Sequence, residues 1–161
     1  MGAGEMTRWL SEDEQASWRA TIAMVLLLPD RLSRELTKNH GLSLPDFEIL
    51  VKLSEAPEAQ MRMSHLADRT FASRSRLSHA CNRLEKSGFI ERRACNSDGR
   101  GYWAALTDLG WEKLRAAAPD HVETVRSHLV DLLTPIEFAE LGRIALKVSE
   151  HLKKIDDTCN N

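Results

Sequence analysis

Met63-Ser64-His65-Leu66-Ala67-Asp68-Arg69-Thr70, then Ser73-Arg74-Ser75-Arg76-Leu77-Ser78-His79-Ala80-Cys81-Asn82-Arg83-Leu84, then Ser87-Gly88-Phe89-Ile90-Glu91-Arg92-Arg93, is the stretch that decides the fold. Ser64 reads as the cap of a short helix running through Leu66 and Ala67 to about Thr70. Phe71-Ala72 is a tight connection, and Ser73 caps a second helix. Leu77, Ala80, Cys81 and Leu84 fall at i, i+3, i+4 and i+7 of that helix, one clean apolar face. Ser87-Gly88 stops it. Two short helices around a tight turn form the helix-turn-helix pattern. Phe89 to Arg93 and Tyr102 to Leu106 are extended stretches around the turn-rich loop Cys95 to Gly101, which predicts a β-hairpin wing.

Helices flank this block on both sides. Ser11-Glu12-Asp13-Glu14 is a capping box opening a long first helix to about Lys38, with Pro29 expected to bend it and Gly41 suited to a left-handed C-cap. Ser43 to Glu55 reads as a second helix with Pro45 in its first turn. Met61-Arg62-Met63 alternates as a short strand. Thr107 opens another helix that Pro119 is expected to break or kink, with the helical phase carried on through Leu132 and Leu133. Thr134-Pro135-Ile136-Glu137 caps the last helix, which carries Phe138, Leu141, Ile144, Val148, Leu152 and Ile155. The fold class is mainly α with a small β-hairpin wing: a winged helix-turn-helix with flanking dimerisation helices. We read residues 11–42 as an N-terminal dimerisation helix, 43–106 as the winged module and 107–156 as C-terminal dimerisation helices, one structural domain overall. Trp18, Ile22 and Val25, and Leu141, Ile144, Val148 and Leu152, make stripes that need covering. A second copy of the chain is the simplest supplier, and packing of the terminal helices on each other is the alternative.

The 161 residues hold 22 Lys and Arg against 24 Asp and Glu, a net charge of −2 that by itself suggests no nucleic-acid partner. The distribution reverses that reading. Between Arg62 and Arg100 there are nine basic and four acidic residues, a net of +5, which leaves −7 for the rest. A basic middle in an acidic frame suits one face presented to phosphates; a solvated charged face is the bland alternative. The longest apolar run, Ile22 to Pro29, is less than half of the ~20 residues that span a membrane, and no signal peptide is expected behind Glu12-Asp13-Glu14. Three widely spaced cysteines, Cys81, Cys95 and Cys159, argue against a disulfide scaffold and for a reducing, cytoplasmic setting.

Several motifs carry a family likeness. Leu44-Pro45-Asp46-Phe47-Glu48-Ile49-Leu50, the two helix segments quoted above, Arg83 to Arg92, Asp98-Gly99-Arg100-Gly101 and Leu106-Thr107-Asp108-Leu109-Gly110 together resemble the MarR family of bacterial winged-helix regulators. The likeness covers about residues 11 to 155, in register, and its most specific part is Asp-x-Arg-Gly followed by Leu-Thr-x-x-Gly. It implies a triangular homodimer whose two winged modules straddle a pseudo-palindromic operator of double-stranded DNA. Members are commonly repressors, released by small aromatic or anionic molecules or by thiol oxidation. One departure lies at the wing tip, where many members carry Asp-Arg-Arg and this chain has Gly99 before Arg100; that removes one positive charge from the wing.

With Leu77, Ala80, Cys81 and Leu84 inward, the opposite face presents Arg74, Ser75, Arg76, Ser78, His79 and Arg83. Arg74 and Arg76 stand in the first turn, where cations oppose the macrodipole at ~0.3–1 kcal/mol, which suits residues that meet an anion or a guanine edge. An Arg fork matches guanine O6 and N7. Hydroxyls of Ser64, Ser73 and Ser75 are placed for phosphates. Arg100, oriented by Asp98, is expected to enter the minor groove. For Arg83 and Arg92 the competing reading is a surface salt bridge.

Trp18, Trp103 and Trp111 are the large aromatics near the expected cleft, as effector-pocket lining or as core. Cys81 reads as a core residue, and Cys95, beside Arg92 and Arg93, is the thiol on which the alternative of a redox-sensing regulator rests. The peroxide-sensing branch of the family places its cysteine near the start of the first helix, where this chain has none. His121, His128 and His151 give no tight ligand spacing, so no metal and no cofactor are expected. No Gly-rich phosphate loop, nucleophile elbow or paired-carboxylate motif supports an enzyme. The remaining competitor is a helical dimer that acts by protein contact without DNA.

Overall fold

The computed structural model describes residues 7–70, 74–94 and 101–159, and for 156–159 the backbone alone. The order is α1 (Glu12–His40), α2 (Leu44–Ser54), β1 (Gln60–Arg62), α3 (Met63–Arg69), α4 (Arg74–Lys86), β2 (Ile90–Ala94), β3 (Tyr102–Leu106), α5 (Asp108–His128) and α6 (Pro135–Cys159). Two compact units divide at the Pro119–Asp120 bond. The mainly helical architecture with one small antiparallel sheet is that of a winged helix-turn-helix.

Local chemistry sets most helix ends. Ser11 and Glu14 form the reciprocal capping box at the start of α1, and Gly41 (φ 66°) closes it in the left-handed region. Pro29 is accommodated inside α1, which runs unbroken. Ser43 caps α2, and Asp46 completes a second box that also accepts from the Ser43 hydroxyl at 2.7 Å. In the second unit Thr134 and Glu137 form a third box at the head of α6, with Thr134 N donating to Glu137 Oε2 at 2.8 Å.

Three boundaries differ from the sequence reading. The first strand is Gln60–Arg62, not 61–63, and it runs straight into α3. Arg62, still extended (φ −63°, ψ 139°), is therefore the N-cap of α3 and provides no side-chain cap; Ser64 is not a cap but an exposed first-turn residue. Pairing of β1 with β3, not a local hydroxyl, fixes where α3 begins. Finally, α5 passes through Pro119 without a break and ends at His128, and Val130–Leu132 form a 3-10 turn instead of continuing the helix. Proline removes one intrahelical hydrogen bond, and the turns on either side keep theirs.

The sheet has the order β1-β3-β2, antiparallel throughout. Met61 and Arg92 both face Ala104, while Arg62 and Arg93 both face Trp103. One face thus turns Met61, Ile90, Ala104 and Leu106 into the core of the first unit, where they meet Leu50, Leu53, Leu66, Leu77, Cys81 and Leu84. The Leu-Thr-x-x-Gly motif locks the wing to α5. Thr107 Oγ1 donates to Gly88 O at 2.6 Å and accepts from Gly110 N at 3.0 Å, and Thr107 N donates to Phe89 O at 3.1 Å. Gly110 is buried against that same carbonyl.

Candidate nucleic-acid interface

Helix α4 divides cleanly by face. Leu77, Ala80, Cys81 and Leu84 are buried, and Arg74, Ser75, Arg76, Ser78, His79, Asn82 and Arg83 are exposed. The apolar side supports the helix against α2 and the sheet, so the polar side is presented as a rigid ridge. Its first turn holds no acidic residue. Arg74, Ser75, Arg76, Ser78 and His79 are thus all on the exposed side of α4, with Arg74 and Arg76, two residues apart, towards its opposite borders. Ser64 is exposed on α3. Ser73, Asp98 and Arg100, and with them Cys95, lie outside the described residues.

Arg83, Arg92 and Arg93 of the basic block are ion-paired within the fold. Arg83 Nη2 donates to Asp46 Oδ1 at 2.8 Å, an ion pair from the exposed side of α4 to a buried carboxylate on α2. Asp46 thereby serves two helices, capping one and holding the other. The Ser43-x-x-Asp46 spacing signals the cap and not the pairing with Arg83. Arg92 forks onto Glu85: Arg92 Nε donates to Glu85 Oε2 at 2.8 Å, Arg92 Nη2 to the same oxygen, and Arg92 N to Glu85 Oε1 at 3.2 Å. Those bonds hold the Glu85 carboxyl below its ordinary range. They clamp the wing strand to α4. Arg93 pairs with Glu91 within β2.

The aromatic residues stand in three settings. Trp18 is exposed on α1. Trp111 packs against the core with Arg115 over its ring at 5.3 Å. Trp103 lies under Arg62 at 5.6 Å and lines a cavity of about 490 Å³. Another cavity of about 520 Å³ reaches from Pro29 and Leu44 to Arg76, His79 and Arg83 on α4. Glu48 lines it, and burial pushes its carboxyl up.

Cys81 is fully buried and its thiol is pushed up to about 11 by that burial, as a core residue's should be. Among the described residues no cluster of three or more His, Cys, Asp or Glu side chains is placed to hold a metal ion. No helix among them is long and apolar enough to cross a membrane.

A helix-turn-helix whose second helix is buried on one side and cationic on the other, followed by a wing, defines a DNA-binding transcriptional regulator of the winged-helix class. Comparison with known proteins refines the class. The MarR family model matches residues 40–101. The regulator PecS of Dickeya dadantii is 30% identical over 137 residues, 82% of this chain and 80% of its own. AbsC, a MarR family regulator from Streptomyces coelicolor, is 44% identical with a TM-score of 0.86, over 92% of this chain and 99% of that one. Sco3205 from the same organism, solved in complex with DNA, is 45% identical with a TM-score of 0.88, over 92% and 93%. The chain belongs to the MarR family of transcriptional regulators. It is accordingly a regulator and not an enzyme.

Proposed function

We propose that this regulator binds a pseudo-palindromic operator as a homodimer, represses the genes behind it, and is released by a small aromatic or anionic effector. The observation that carries the reading is the outward row Arg74, Ser75, Arg76, Ser78 and His79 on a helix whose other side is buried. That row enters the major groove, with the arginine forks on guanine edges and Ser64, Ser73 and Ser75 on phosphates. Arg83, tied to Asp46, contributes at the border of this surface. Asp98 and Arg100 at the wing tip serve the adjacent minor groove. A DNA-bound relative at 45% identity supports duplex DNA as the partner.

Dimerisation is supported by uncovered apolar side chains on the flanking helices: Trp18, Val25 and Leu26 on α1, and Ile144, Val148 and Leu152 on α6, all exposed. Bound over a promoter, such a dimer excludes polymerase, which gives repression. The cavity beneath α4 shares Arg76, His79 and Arg83 with the reading face, so an effector seated there and the operator compete for the same side chains. Trp18, Trp103 and Trp111 are the aromatic surfaces offered to effectors elsewhere.

The test is selection of bound fragments from sheared genomic DNA, sequencing, and footprinting of the recovered site. The expected result is a site with two inverted halves about one helical turn apart, bound by one dimer as measured by light scattering. Recovery of no sequence above background, or a monomer bound to a single half-site, overturns the proposal.

A further inference from the structure

The exposed side chains of α4 fall into lines. Leu77, Ala80, Cys81 and Leu84 mark the buried side. Ser75, His79 and Asn82 stand at i, i+4 and i+7, so they share the line opposite that side, and all three are exposed. Arg76 and Arg83 run along one border of this line and Arg74 along the other. A border position suits arginine, whose length lets it reach inward. A short side chain meets a base edge only from the middle, and the middle is where Asn82 stands.

Nothing in the fold accounts for an asparagine at that place. Inside a helix asparagine is less favourable than alanine, and its usual positions are caps and turns. Asn82 is at neither end of α4, which runs from Arg74 to Lys86. Its carboxamide makes no hydrogen bond among the described residues. Two charged neighbours on the same helix are engaged elsewhere: Arg83 with Asp46 at 2.8 Å, and Glu85 with Arg92 at 2.8 Å. The carboxamide is therefore exposed, uncharged and uncommitted on the outermost line of a helix that is held from behind by its buried face.

We propose that Asn82 is a specificity-determining residue that reads an adenine in the major groove of each operator half-site. Adenine presents an acceptor, N7, beside a donor, the N6 amino group, and a carboxamide offers the matching donor and acceptor in one plane. Asn82 Nδ2 donates to N7, and Asn82 Oδ1 accepts from N6. Guanine presents two acceptors, O6 and N7, and sets one of them against the carboxamide oxygen. A phosphate engages the amide donor alone. The inference rests on the operator reading and deepens it: the arginine forks take guanines, and Asn82 adds an A·T pair. At ~1.5 Å of rise per residue Asn82 lies about 10 Å beyond Ser75, about three base steps along a duplex, so its base pair is not one met by the first turn of α4.

The experiment measures fluorescence anisotropy of the full-length protein on labelled duplexes carrying the footprinted operator, at one salt concentration. In each duplex one A·T pair of the half-site is exchanged for G·C, symmetrically in both halves. Asn82→Ala should bind the unaltered operator about tenfold more weakly than wild type, and at one A·T position its response to the exchange should vanish to within about twofold, where wild type loses about tenfold or more. Its profile at the other positions and its affinity for a random duplex should match wild type. Alanine favours the helix, so the variant should unfold in urea no earlier than wild type. An Asn82→Ala profile identical to wild type at every A·T position overturns the proposal. So does a profile flattened at every position, which marks a displaced helix, or an equal loss on operator and random duplex, which marks a phosphate contact. Earlier unfolding of Asn82→Ala assigns the residue to the fold and overturns it as well. The operator reading itself fails only where wild type binds operator and random duplex alike, and the proposal falls with it.

Discussion

Gly110→Ala tests whether the wing is locked to α5 as described. A Cβ built on Gly110 would lie 2.1 Å from Phe89 O, 2.8 Å from Leu106 Cδ1 and 3.0 Å from Phe89 C. Ordinary carbon–oxygen contact is roughly 3.3 Å, so the first turn of α5 must retreat by about 1 Å from a backbone carbonyl that has no rotamer to escape into. That retreat stretches the 3.1 Å bond from Thr107 N to Phe89 O and the 2.6 Å bond from Thr107 Oγ1 to Gly88 O past useful length. Two bonds at about 1 kcal/mol each and about 1–3 kcal/mol of overpacking oppose the ~1 kcal/mol that alanine gains over glycine in a helix. The net expectation is a destabilisation of about 3 kcal/mol. Gly142→Ala in α6, where a Cβ meets nothing within 4 Å, is the control and should stabilise by up to ~1 kcal/mol. Urea unfolding followed by circular dichroism, at one protein concentration because a dimer's midpoint depends on it, measures both. A Gly110→Ala protein within ~0.5 kcal/mol of wild type would refute the reasoning, since the carbonyl would then have to yield freely.

Arg74→Ala and Arg76→Ala should each weaken binding to the selected operator by ~1–3 kcal/mol in fluorescence anisotropy, with wild-type unfolding curves; no loss in either removes α4 as the reader. A dimer that neutralises ~6–10 phosphates should lose ~10³–10⁵ in affinity between 50 and 200 mM salt, and a flat profile would count against the interface. Cys81 is raised in the folded state, so the unfolded thiol ionises first as pH rises. Its contribution is intact below the ordinary value and falls away towards about 11, on the order of 2 kcal/mol, and Cys81→Ala should flatten that alkaline slope relative to wild type. For Asp46 and Arg83 a double-mutant cycle to alanine should give a coupling of ~0.5–1.5 kcal/mol, held down because the arginine side chain is 57% exposed; a coupling near zero would make the contact incidental.

What could be read from the chain was what neighbours in sequence decide. The boxes at Ser11 and Thr134 each lie within four residues, and the Leu77, Ala80, Cys81, Leu84 stripe repeats within a few turns, so each was legible and each stands. Ser64 misled because a serine before an apolar run imitates a cap, whereas a distant strand, β3, sets the start of α3 through β1. Of the break or kink expected at Pro119 the break does not occur, because the turns around the proline carry the helix through it. Asp46 was quoted as part of a motif, but its bond to Arg83 joins residues far apart in sequence, and nothing local announces it. Trp103 was named as possible pocket lining and does line a cavity, but its neighbour Arg62 in that wall was not foreseen, since it arrives only through pairing of β1 with β3.

The arginines of the central block then sort by what they touch, which charge counting does not reveal. Arg92 and Arg83 are committed to carboxylates that fix the angle of α4 against the wing strand and against α2. Arg74 and Arg76 stand at the end of α4 where cations weaken a helix, with no acid in the first turn to offset them. A helix carrying that disadvantage must be held by something other than its own dipole. Four side chains do so, Leu77, Ala80, Cys81 and Leu84, at 2% exposure or less. The two sets of arginines, Arg83 on α4 with Arg92 on β2 and Arg74 with Arg76 on α4, therefore differ in kind: the first fixes the helix, and under the proposed function the second is what the fixed helix presents to DNA. On the proposed function, Glu85→Gln would leave Arg74, Ser75, Arg76, Ser78 and His79 in place and still lower the ratio of operator to random-duplex affinity, because α4 would lose its tie to the wing strand; an unchanged ratio would refute this.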